Sequence, residues 1–374
     1  MIFNTGLLLL ILALVVVTLP LKPGLRAMAL VVSGMLTVLW LNPVVASILL
    51  AATLLVLSRC DRLNQASMPF LVMLFTVLVV SNSSREPELF FGVVSWFLLP
   101  FSLLRHMHVY FSILQGNAKA DMHTILSYLW HPVLLIGTSE KFSDYEMGFK
   151  TGDIQWKVFI RHLILAYGLG YGAEFLRVYF TETVFINSGW REESLSTLIQ
   201  GVLLVGPAFF LGMYSIFHFS RACLALYGCH FPEPLIGRVY WPKSPIHFWL
   251  SWNIPAIRVL RECFFLPGLL ILGRLGPLQF IVLLTIWWFV QALWHGSFAW
   301  AMLHAGVILM QIHWARCRTE SSVLHRYHKR FRGMYPILTL LYILLSAAIW
   351  PGERPEVLGE VIFRIFSSVH SIFL

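Results

Sequence analysis

Residues 289–316 read FVQALWHGSFAWAMLHAGVILMQIHWAR, an apolar run interrupted at Trp294, His295 and Gly296. A run of this length and apolarity is long enough to cross a bilayer as a helix, where a polar side chain is costly and normally faces a cavity or a partner. On a continuous helix, His304 falls on the side opposite His295, and His313 returns to the first face. At about 1.5 Å per residue, His313 then stands roughly 27 Å from His295, so the three cannot share one metal ion. No metal is expected, and His295 is left as a solitary deep imidazole beside a glycine.

The surrounding sequence has the same character. The chain has 374 residues, 58% of them hydrophobic and 12% charged, which excludes an ordinary soluble globule. Apolar stretches fall near 4–20, 28–57, 69–80, 89–104, 158–180, 196–219, 278–294, 296–314 and 335–350, with weaker ones near 123–137 and 248–272. The stretch 28–57 is long enough for two passes, broken near Pro43. The expectation is an all-α, multi-pass membrane protein of roughly ten to twelve transmembrane or re-entrant helices, forming one domain over residues 1–374. The first segment lacks a basic leader and a small-residue cleavage site, and reads as a retained span.

The net charge of +9 comes from Lys and Arg in short connections, as topology determinants do, so no nucleic-acid partner is expected. The densest such connection, 316–332, carries Arg316, Arg318, Arg326, Lys329, Arg330 and Arg332 against Glu320, and is expected as a cytoplasmic loop. Cys60, Cys223, Cys229, Cys263 and Cys317 form no C-x-x-C pair and support neither a disulfide framework nor a zinc site. Most histidines, including His106, His108, His123, His230, His325 and His328, lie at segment ends or in loops and read as interfacial or solvated. His218 reads as a satisfied helix-packing residue.

A second anomaly is WPKSPIHFWLSWNIPAIRVLRECFFLP, residues 241–267, with Trp241, Trp249, Trp252, Asn253, Arg258, Arg261 and Glu262. It is too polar for a lipid-facing span, and Pro245 and Pro255 break regular helix. Irregular backbone at membrane depth survives only against protein or a water-filled cavity, so broken helix packed inside the protein is expected, with Trp249 and Trp252 shielding Asn253. A buried neutral imidazole at His295 can accept a proton from a hydroxyl or amine. The Asn253 amide can stabilise a developing oxyanion or orient the imidazole, and Gly296 permits close approach of a substrate. No Ser or Cys stands out as a nucleophile, which favours direct transfer between two bound substrates. A transporter or channel lined by the same polar groups is the competing class, although the acids cluster at 140–153, 182–193 and 353–360, outside the strongest apolar runs. A structural assembly protein is a third.

These residues resemble the membrane-bound O-acyltransferase family. SPIHFWLSWNIPAIRVLRECFFLP is similar to that family's signature, which opens F-W-x-x-W-[HN] and closes R-[DE]-x-[VF]-[YF]-x-P. ALWHG is similar to the second signature, about forty residues on. SYLWHPVLLIGTSEKFSDY (127–145) and MYSIFHFSRACLALYGCHFPE (213–233) are weaker echoes, with Thr138 where the family has proline and Ile216 where the polysaccharide-acetylating branch has aspartate.

The resemblance covers about 120–315. It implies helices around a central reaction chamber, with His295 as catalytic histidine and Asn253 as the second motif residue. Trp249, Trp252, Trp294, Gly296, Arg258 and Arg261 are candidates for substrate contact. It also implies an acyl (acetyl) thioester, on coenzyme A or a carrier protein, as cosubstrate with no bound cofactor. The acceptor would be the hydroxyl of an extracytoplasmic glycan or its precursor, with lipid and protein acceptors open and an extracytoplasmic partner protein expected. Asparagine at 253 argues against the alginate type, and the short chain argues for a bacterial inner-membrane member.

Overall fold

The computed structural model describes residues 5–41, 45–46, 49–50, 52–53, 102, 104–110, 112–113, 122–135, 140–151, 153–178, 188–229, 241–266, 281, 284–285, 287–288, 298–320, 322–347 and 355–373. Among them the regular structure is entirely helical, as the all-α expectation requires. In chain order the helices are α1 (Thr5–Thr18), α2 (Pro23–Leu41), α3 (Met122–Trp130), α4 (Pro132–Leu135), α5 (Phe142–Thr151), α6 (Trp156–Leu176) and α7 (Leu195–Ala225). They continue with α8 (Pro245–Trp249), α9 (Ile254–Leu260), α10 (Phe298–Glu320), α11 (Ser322–Phe331), α12 (Tyr335–Ser346) and α13 (Pro355–Phe373). Leu195–Ala225 and Phe298–Cys317 are long and apolar enough to cross a membrane, and Leu8–Thr18, Gly24–Leu39 and Tyr335–Ser346 are shorter apolar helices.

The chain divides into two compact units. The first comprises Met1–Gly168, Tyr214–Pro234 and Ile254–Leu275; the second comprises Leu169–Met213, Leu235–Asn253 and Gly276–Leu374.

In the first unit, α1 buries Leu8, Ile11 and Val15, and α2 buries Ala27, Leu30 and Val38, spaced as one face of a helix requires. The opposite faces are apolar too: Leu9, Leu10, Val16 and Val17 on α1, and Leu25, Met28, Val32, Leu36 and Leu39 on α2, are exposed. A helix in water would place polar residues there, whereas an exposed apolar face fits a lipid or protein partner. The few hydroxyls are satisfied within their own helices: Thr18 donates to the Val15 carbonyl (2.8 Å), Ser33 to Leu30 (3.0 Å) and Thr37 to Ser33 (2.7 Å).

A glycine seam closes this unit. A Cβ on Gly148 of α5 would meet the Cys229 backbone at less than contact distance, so only glycine fits. Gly228 turns with φ +74, and a Cβ there would stand 2.9 Å from the Asp153 nitrogen. The Gln155 N–H donates to the Ala225 carbonyl across the same seam at 3.0 Å.

In the second unit, Trp190, Leu198, Val202 and Val205 pack with Ala347, Val357 and Val361. Arg364 of α13 locks this cluster by donating to Glu360 (2.7 Å) and to the carbonyls of Glu193 (2.8 Å) and Arg191 (2.6 Å). The connection expected as a loop at 316–332 is helical instead: α10 runs through to Glu320 and α11 occupies most of the remainder. Arg, Lys and His are compatible with helix, so a basic run by itself does not signal loop.

Candidate functional site

The segment 241–266 is broken helix, as Pro245 and Pro255 lead one to expect. In the second unit, Ser244 caps α8 by accepting the His247 N–H (3.3 Å), with Pro245 at the first helical position where its missing N–H costs nothing. After Trp249 the chain turns rather than continuing the helix. Ser251 donates to the His247 carbonyl (2.8 Å), and Asn253 takes φ +44, the one non-glycine residue with positive φ among those described. Asparagine is among the few residues that visit this region at moderate cost.

Asn253 is 9% exposed, and its side-chain amide makes no hydrogen bond among the described residues. Trp252 and Phe248 stack beside it in sequence (5.7 Å, 14°), and Phe210 meets Trp252 edge-on at 4.8 Å. Trp249 turns elsewhere, onto Trp288 (5.6 Å), Trp300 (5.5 Å) and His304 (4.7 Å). Trp294, His295 and Gly296 lie outside the described residues.

His304 is the side chain that sequence reasoning undervalued. It is fully buried, Trp300 and Trp249 meet it edge-on, Trp288 lies parallel to it at 5.6 Å, and its Nδ1 is hydrogen-bonded to the Tyr342 hydroxyl. A helical wheel drawn from His295 places His304 on the opposite side but says nothing about which side other helices cover. The tryptophan-rich composition around it was the available signal.

In the first unit, the close of the signature meets the upstream echo. Glu262 pairs with Lys141 and lies 3.4 Å from the His108 Nε2, while the His108 Nδ1 accepts the Phe142 N–H at 3.2 Å. Arg258 is half-buried and acts electrostatically on Glu140, and Arg261 is exposed. Burial and the neighbouring Asp144 push the Glu140 carboxyl up to about 8, against the opposing pull of Arg221 and Arg258.

The reading of His106 and His108 as interfacial is corrected: both are buried. The His106 Nδ1 donates to the Ser102 carbonyl (2.6 Å), and its Nε2 is hydrogen-bonded to Thr53 (2.9 Å), which also accepts the Trp130 indole N–H (3.1 Å). Arg105 is buried beside them and donates to the Ser102 hydroxyl at 2.8 Å. A run of Arg and His at the end of an apolar stretch resembles a membrane edge, and only tertiary partners show that it lies inside. His218, expected to be a satisfied packing residue, shares a hydrogen bond with His162 (2.8 Å, rings nearly parallel). Among the described residues no three His, Cys, Asp or Glu side chains converge as a metal site.

No protein-family model matches the chain, and no curated protein sequence matches it.

Proposed function

We propose that the protein is a multi-pass membrane O-acyltransferase, with the ten to twelve membrane elements read from its hydropathy. It moves an acyl group from a thioester to an acceptor hydroxyl, with His295 as general base and the Asn253 amide as hydrogen-bond donor to the developing oxyanion. The acceptor class proposed is an extracytoplasmic glycan or its precursor.

The observation that carries this reading is Asn253. A buried, left-handed asparagine, on a turn between two short helices and with its amide unspent among the described residues, is the kind of strained polar position that collects at functional sites. Family resemblance in the first signature points to the same residue, and in the second to His295. Trp252 keeps water from that turn, and Arg258 and Arg261 supply positive charge for the phosphates of a coenzyme or carrier thioester.

The test is transfer from labelled acyl thioester by purified protein in detergent. Removing a general base costs typically 10²–10⁴-fold, so His295→Ala is expected to abolish measurable turnover without lowering Tm. Asn253→Ala is expected to cost about 10²–10³-fold, as loss of an oxyanion donor does. Asn253→Gly, which keeps the backbone conformation and lacks the amide, is expected to behave like Asn253→Ala in rate. A Gly variant with full activity shows that Asn253 serves the turn alone.

A further inference from the structure

Helix α11 follows directly on α10, whose span Phe298–Cys317 is long and apolar enough to cross a membrane. At 100° per residue, Val323, Leu324, Tyr327 and Phe331 fall within one arc of about 100°, and His325, Arg326, His328, Lys329 and Arg330 occupy the remainder. A helix of this design in a globule buries the apolar arc. Here Val323 (48%) and Phe331 (43%) of the apolar arc are exposed, and so are Arg326, Lys329 and Arg330 of the cationic one. The exposed apolar surface continues through Met334, Ile337, Leu338 and Leu341 into α12. In 316–332 only Glu320 opposes six basic residues, so charge within the segment does not neutralise them.

We infer that α11 is a binding surface for anionic phospholipid, its cationic arc on the headgroups and its apolar arc in the outermost acyl region. This rests on the membrane reading of the proposed function. Two observations select lipid over a soluble acidic partner. The cationic arc adjoins exposed apolar side chains on the same helix, which a lipid interface covers and a polar ligand does not. The helix also starts a few residues after the end of a membrane-length apolar span, which on the membrane reading brings it to the headgroups. The basic residues attract several phosphates at once at an exposed surface, which makes the attraction sensitive to salt.

The test uses the full-length protein in uncharged detergent, titrated with phosphatidylglycerol or phosphatidylcholine, with bound lipid read by native mass spectrometry and Tm alongside. Each Lys or Arg at an anionic surface is worth about fivefold in binding. The triple variant Arg326→Gln/Lys329→Gln/Arg330→Gln is therefore expected to bind phosphatidylglycerol about a hundredfold more weakly than wild type, with phosphatidylcholine binding unchanged. Raising salt is expected to erase most of the wild-type preference. Equal binding of both lipids by wild type, or an unchanged triple variant of native Tm, overturns the inference while leaving the membrane reading intact. Inorganic phosphate raising Tm as much as phosphatidylglycerol does assigns the arc to free phosphate and also overturns it. A protein that binds neither lipid and stays monodisperse without detergent overturns both readings.

Discussion

The two units bury their polar groups by different means. In the first, hydroxyls, imidazoles and a guanidinium bond one another and the backbone: Trp130 to Thr53, Thr53 to His106, His106 to the Ser102 carbonyl, Arg105 to the Ser102 hydroxyl. In the second, His304 is bonded to Tyr342 and enclosed by indole rings. Removing one member of a network strands its buried partners, whereas an enclosed ring contributes chiefly through packing. Loss of a side chain is therefore expected to be felt mainly through stranded polar partners in the first unit and mainly through lost packing in the second.

The largest expected effect breaks that enclosure. His304→Ala deletes a fully buried ring and strands the Tyr342 hydroxyl, and is expected to destabilise by about 3–5 kcal/mol, as large ring deletions do. Tyr342→Phe removes only the bond and is expected to cost about 1 kcal/mol. Denaturant melts of both give the comparison; if they match, the ring's packing contributes little.

In the first unit the sharpest lesion is steric. Gly148→Ala drives a methyl into the Cys229 backbone and is expected to cost about 3 kcal/mol, because backbone yields less readily than a side-chain tip. Gly306→Ala in α10, where a Cβ meets nothing within 4 Å, is the opposite case and is expected to stabilise by about 0.5–1 kcal/mol. A Gly148→Ala protein as stable as wild type means that the seam between α5 and residues 225–229 is not closed.

A pH-dependent effect sharpens the electrostatic contrast. Glu140 holds its proton up to about pH 8 when folded, above its ordinary value of 4.5. Its contribution to stability is complete below the unfolded pKa and is lost as pH rises from about 4.5 toward about 8. Wild-type Tm is expected to fall between pH 5 and pH 8 for this reason. Glu140→Gln is expected to flatten that slope, and an unchanged slope shows that Glu140 is ionised throughout.

The sequence made the all-helical class and the break at 241–266 legible, because hydropathy and two prolines act locally. Helix faces were not legible. On α1 and α2 the inward and outward residues are equally apolar, so no periodicity marks the packed side. Burial of Arg105, His106 and His108 and the enclosure of His304 depend on residues distant in the chain, and no local pattern encodes them. Asn253 was legible as a candidate by motif, and its left-handed backbone is a property only the folded turn displays. The turn's chemistry did leave a trace, since asparagine is a residue that tolerates that conformation.

The Gly148 seam also sets a clock during synthesis. Its two sides are separated by about eighty residues, which take about 4–16 s to emerge at 5–20 residues per second. Through that interval α5, with Tyr145 and Phe149 destined to stack at 5.3 Å, has been made but lacks the chain that covers it. The nascent protein therefore holds a polar-aromatic helix without its final partner until the whole of α7 has followed, and the first unit completes only after a long excursion of the chain into the second.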